Sequence, residues 1–128
     1  VDPGACHIDR HIETPPEEAS PSVVVRAYLD ALDVHDCETA DALWVKVDPD
    51  VTYSGRMTCH DIESVRGIDV ATTHPAPDAV ETYVPVHLDI RGRWWSGDVP
   101  PEGPEEFGYF VTRDSPSAPW RIAGGGVG

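Results

Sequence analysis

The sequence predicts an α+β domain, with an N-terminal helix pair packed on a curved antiparallel sheet of four to six strands. Three observations predict it. Apolar residues recur at helical spacing between 20 and 47; Val80, Thr82, Val84, Val86, Leu88 and Ile90 alternate with polar neighbours; and short β-prone runs broken by Gly, Pro and Asp follow. A period near 3.6 marks an amphipathic helix and a period of two marks a half-buried strand, so helices first and strands afterwards give helices on one face of a meander.

Residues 1–19 read as a flexible arm, because Pro3, Pro15, Pro16 and a run of acids follow neither period. The folded unit spans 20–128. Ser20 is a natural N-cap with Pro21 at the first helical position, and Val24, Ala27, Tyr28, Ala31 and Leu32 share one face. Arg26, Asp30 and Asp33 fall on the wet side, and the helix stops near His35. Asp36 caps a shorter second helix whose face is Ala40, Leu43, Trp44 and Val47, and the short turn makes the two a hairpin lying on the sheet. Asp48-Pro49-Asp50 breaks the pattern, and Val51 to Tyr53 reads as a short strand. Met57 to Ile62 fits a strand or a turn of helix equally. Val65 to Ala71 is expected to be a strand, followed by the long one from Val80 to Trp95 and a loop over Gly97 to Pro104. Phe107 to Arg113 and Trp120 to Ala123 close the meander around an Asp114-Ser115-Pro116-Ser117 turn, with Gly124 to Gly126 ending the domain or forming a bulge.

Composition excludes several function classes. A formal charge of -14, with nine basic residues against 23 acidic, rules against a nucleic-acid or anionic-membrane surface. No apolar run approaches the roughly 18 residues of a membrane span. Val1-Asp2-Pro3-Gly4 shows neither charged leader nor apolar core of a signal, as expected of a cytoplasmic chain or of one whose signal has been removed. Of three cysteines, Cys37 and Cys59 lie in the folded part. A bridge between them would contribute about 3 kcal/mol in the chain-entropy picture and imply an extracellular or cell-surface protein. Two buried free thiols in a cytoplasmic protein are the plain alternative. Cys6 is then the odd thiol.

The segments Val24 to Leu32, His35-Asp36-Cys37 and Pro119-Trp120-Arg121-Ile122, in the order helix, helix, strands, resemble small exported actinobacterial proteins of the nuclear-transport-factor-2-like superfamily, the cystatin-like cone also used by ketosteroid isomerase and SnoaL-type polyketide cyclases. The resemblance covers 20–128 and implies a pocket between sheet and helices. It implies no single activity, since the superfamily mixes enzymes, binding modules and assembly domains. No catalytic acid and no third helix of the enzymes has a match in this chain.

On that fold the ligand pocket would draw on Tyr28, Trp44, Val86, Leu88, Phe107 and Tyr109, although aromatic residues so placed, like Trp120, more often simply fill a core. His60-Asp61 and His87-x-Asp89 are the places where a base and an orienting carboxylate occur together. Alternation puts His87, Asp89 and Arg91 on the solvated side, opposite Val86, Leu88 and Ile90. His7 and His11, spaced i, i+4 beside Cys6, are metal-ligand types, but the tail has no helical pattern and no fourth ligand, so no metal or other cofactor is expected. There is no G-x-S-x-G elbow, P-loop or H-E-x-x-H motif. The expected function is non-catalytic binding of a small apolar ligand or a protein partner by an exported domain. The alternative is an isomerase, cyclase or dehydratase working by proton transfer with His60, Asp61 or Tyr53. A third reading is a domain that forms homodimers through Trp94, Trp95 and the outer sheet.

Overall fold

The structure, a computed structural model, describes residues 10–45, 59–92, 96–99 and 107–127. It is α+β. Helices α1 (Pro21–Asp33) and α2 (Cys37–Ala42) precede strands β1 (Ile62–Val70), β2 (Glu81–Gly92), β3 (Ser96–Val99), β4 (Phe107–Thr112) and β5 (Arg121–Val127). The sheet is antiparallel and open, in the order β1-β2-β4-β5, with β3 also paired to β2. The helix α1 packs on β1, β2, β5 and α2.

The first helix forms as its sequence dictates. The Ser20 side chain accepts the Val23 N–H, Pro21 opens the first turn, and Val24, Val25, Tyr28, Leu29, Ala31 and Leu32 are buried. It closes in a Schellman motif, with Asp36 N–H donating to Ala31 O at 2.9 Å and His35 N–H to Leu32 O at 3.2 Å. His35 occupies the left-handed position at φ 62°, where glycine is usual, and its Nε2 lies 3.0 Å from the Glu63 carbonyl. Asp36 then serves α2 as N-cap, so one short joint ends one helix and starts the next. The second helix is shorter than its apolar spacing suggests. Leu43 and Trp44 are buried beyond its end, and Trp44 pairs in parallel with Ile122 of β5. Val47 and the expected strand at 51–53 lie outside the described residues.

The polar side of α1 is not simply wet. Asp33 Oδ1 accepts the Val65 N–H at 2.8 Å, Arg26 Nη1 donates to Ile68 O, and Ser22 Oγ donates to Ala71 O at 2.6 Å. The first two bonds reach β1, whose edge away from β2 no strand pairs among the described residues, and the third reaches Ala71 just beyond it, so helix side chains satisfy backbone groups that would otherwise offer a template for another chain. A register shift in β1 between Arg66 and Asp69 holds Gly67 at φ 59°.

The long strand β2 is the axis of the sheet. Val84, Val86, Leu88 and Ile90 are buried while His87 and Arg91 are exposed. Val80, counted with the apolar set, is instead 41% exposed, because it precedes the strand at the point where β4 ends, its carbonyl accepting from Arg113 N–H and the Thr112 hydroxyl. One edge of β2 serves two partners, β4 along Glu81–Pro85 and β3 along Leu88–Arg91. The loop expected from Gly97 therefore gives way to strand over 97–99. Gly97 and Asp98 have poor strand propensity, and pairing with Ile90 and Asp89 overrides it. Likewise Gly124, Gly125 and Gly126 lie within β5, opposite Phe110, Tyr109 and Gly108, and the register shifts at Ala123. Of residues 57–62, Met57 and Thr58 lie outside the described residues, Cys59–Asp61 is a 3₁₀ turn and Ile62 begins β1. Cys37 and Cys59 form a disulfide that ties the start of α2 to that turn.

Candidate functional site

The interior between α1 and the sheet gathers four of the six pocket candidates into one aromatic group. Tyr28 comes from the buried face of α1, Trp44 from the segment bridged to β5, and Phe107 and Tyr109 from alternate positions of β4. Tyr28 meets Trp44 edge-on at 5.9 Å and Tyr109 edge-on at 5.7 Å, and Phe107 meets Tyr109 at 5.5 Å. Such T-shaped contacts set the positive ring edge of one partner against the negative face of the other. Gly125 of β5 lies beside the Tyr109 ring, and a Cβ there would crowd Cε1 at 3.1 Å. Val86 and Leu88 are buried on β2.

Tyr109 is the most enclosed member. It is 0% exposed, yet its hydroxyl has no hydrogen-bond partner among the described residues. Burial, and secondarily the neighbouring Tyr28, holds its phenol well above the ordinary tyrosine range. The group is therefore a neutral hydroxyl throughout the physiological range, able to donate or accept a hydrogen bond and unsuited to act as a base.

The candidate bases lie elsewhere and apart. His60 is exposed on the 3₁₀ turn, with Nδ1 3.9 Å from Cys37 Sγ of the disulfide, and the adjacent Asp61 is half-buried. His87 is exposed on the side of β2 opposite the core, Asp89 is half-buried, and Arg91 Nη2 stands 3.6 Å from Asp89 Oδ2. Tyr53, Cys6, His7, Trp94 and Trp95 lie outside the described residues. Among the described residues no group of three or more His, Cys, Asp or Glu side chains is placed to hold a metal ion, and no helix is long and apolar enough to cross a membrane.

His11, read as half of a metal-type pair, is engaged otherwise. Its Nδ1 lies 2.9 Å from Oδ2 of Asp36, a carboxylate only 1% exposed. The same oxygen accepts the Ile12 N–H at 2.9 Å and the Thr39 hydroxyl at 2.7 Å, and Oδ1 accepts the Thr39 N–H. Burial alone pushes the Asp36 carboxyl up. The Ile12 and Thr39 hydrogen bonds, aided by His11, outweigh it and leave the group lowered. The sequence marked Asp36 as a helix cap; nothing in the spacing marked it as the anchor for residues 11 and 12, twenty-odd positions upstream. Two guanidiniums, Arg113 and Arg121, went equally unmarked. Both border a cleft between the end of α2 and the β4–β5 turn. Compared with known family models, characterised proteins and solved structures, this chain matches none, so the geometry just described is what bears on function.

Proposed function

We propose that this chain is an exported, non-catalytic binding domain of the nuclear-transport-factor-2-like cone type, which takes a small apolar molecule carrying one hydrogen-bonding group among Tyr28, Trp44 and Tyr109. The observation that carries the reading is the Tyr109 hydroxyl, fully buried and without a partner among the described residues. A buried hydroxyl left unsatisfied costs about 1–3 kcal/mol, and a ligand group that meets it recovers that cost on binding. Small-molecule sites are mostly apolar with a few polar groups that fix orientation. Of the proton-transfer candidates, His60 is exposed and the adjacent Asp61 half-buried, both away from the Tyr109 hydroxyl, and Tyr53 lies outside the described residues. The Cys37–Cys59 disulfide supports export, because such bonds persist in oxidising compartments.

The test is a Tyr109→Phe variant titrated with 1-naphthol, an apolar ring system with a single hydroxyl, followed by tryptophan fluorescence and by chromatography of the recovered probe. Removing an unpaired buried hydroxyl should raise the stability of the free protein by about 1 kcal/mol. It should also weaken naphthol binding by roughly tenfold. Absence of saturable binding to the parent protein, equal affinity of the variant, or chemical conversion of the probe would each overturn the reading.

A further inference from the structure

The cleft between the end of α2 and the β4–β5 turn has a volume of about 660 Å³ and shares only Trp44 with the aromatic interior. That volume lies within the roughly 300–1,000 Å³ usual for small-molecule sites. Its charges are the notable feature. In a chain with 23 acidic and nine basic residues, two arginines line one cleft. Arg26 lies 3.1 Å from Asp30, Arg66 3.9 Å from Asp33 and Arg91 3.6 Å from Asp89, so each already faces a carboxylate. Arg113 is committed to structure: it donates to the carbonyls of Ala79, Pro116 and Pro77 and lies 4.2 Å from the centre of the Trp120 ring.

Arg121 differs from all of these. Half-buried at the start of β5, it donates from Nη1 to the Trp120 carbonyl at 2.7 Å and has no ion-pair partner among the described residues. A guanidinium carries five N–H donors in a fixed fork that matches a carboxylate, and partial burial strengthens such a bond. Apolar wall is supplied beside it by Trp44, Val45, Ala118 and Pro119. Asp114 lines the same cleft, and its charge weighs against any ligand anion, more heavily against one carrying two charges.

We propose that this cleft binds a small organic monocarboxylate with a flat apolar body, its carboxylate on the Arg121 guanidinium and its body against Trp44 and Pro119. The two sites share Trp44, but this one rests on Arg121 and the interior one on Tyr109, so either proposal stands if the other fails.

The experiment is a titration of isotope-labelled full chain with benzoate, with its uncharged isostere benzamide, and with inorganic phosphate, read by amide chemical shifts. Benzoate should shift amides of residues 41–45 and 112–121 saturably in the millimolar range. Benzamide and phosphate should bind at least about tenfold more weakly, and Arg121→Gln should lose benzoate binding by a similar factor. Arg121→Lys, which keeps the charge without the fork, should fall between. Should the Gln variant not fold, the benzoate–benzamide ratio in the parent protein and the Lys variant decide the matter. No saturation with benzoate, equal binding of benzamide, equal binding of phosphate, an unaffected folded Arg121→Gln, or shifts confined to other residues would overturn the proposal.

Discussion

At the scale of single residues, Asp36 is the side chain on which most local structure converges. It caps α2, its backbone N–H closes α1, and its carboxylate takes the Ile12 N–H and the His11 ring. Its lowered folded value gives a definite pH dependence. A carboxyl depressed on folding contributes stability that is complete above its unfolded value, near the ordinary 3.8, and is lost as pH falls from there through the folded value. Denaturant unfolding followed from neutral pH down to about 3 should show that loss in the parent protein. Asp36→Asn should be less stable by about 2 kcal/mol at neutral pH and should lack this contribution to the acid slope. Equal slopes would show that other carboxyls carry the acid response. The role of Asp36 as cap was legible, because a cap is a local pattern of Asp before a helical run. Its second role was not, since the contact joins positions 24 apart whose approach depends on how the preceding segment lies on α2.

Among the elements, the pairing of α1 with β1 shows how an amphipathic pattern can be read correctly for one face and incompletely for the other. The apolar stripe packs inward as its spacing requires. Polarity alone places Arg26 and Asp33 in water, yet both bond the backbone of β1, and Ser22 bonds that of Ala71 beyond its end. Polarity says only that a side chain wants hydrogen bonds; whether water or a strand edge supplies them depends on the neighbouring element. Asp33→Ala should therefore speed hydrogen exchange of the Val65 amide well beyond any change in β4 amides, at a cost of about 1 kcal/mol. Uniform acceleration across the sheet would mean that Asp33 contributes global stability only. The glycines of β5 teach a related point. Low strand propensity suggested an ending or a bulge at 124–126, whereas close approach favours a small residue at Gly125, where Tyr109 fills the space, and on the neighbouring β4 a Cβ on Gly108 would collide with the Val84 carbonyl and the Tyr83 ring.

For the whole molecule, the disulfide is a long-range constraint on a chain of high net charge. It joins positions 22 apart, enclosing α2 and Trp44, and loop-closure entropy assigns it about 3 kcal/mol. Thermal unfolding with and without reductant should show a lower midpoint on reduction, and a Cys37→Ser, Cys59→Ser double variant should match the reduced parent. An unchanged midpoint would show that packing, and not the cross-link, fixes this region. The α+β class, both helix caps, the long alternating strand and the exposure of His87 were determined by the sequence itself, because each rests on periodicity or on chemistry between near neighbours. Tertiary structure alone decided that a Gly-Asp run pairs as β3, that the Tyr28 and Tyr109 rings pack edge-on with the Tyr109 hydroxyl buried, and that Arg121 faces a cleft without a carboxylate partner among the described residues. Those outcomes depend on which surfaces remain after distant segments have packed, and no local spacing encodes that remainder.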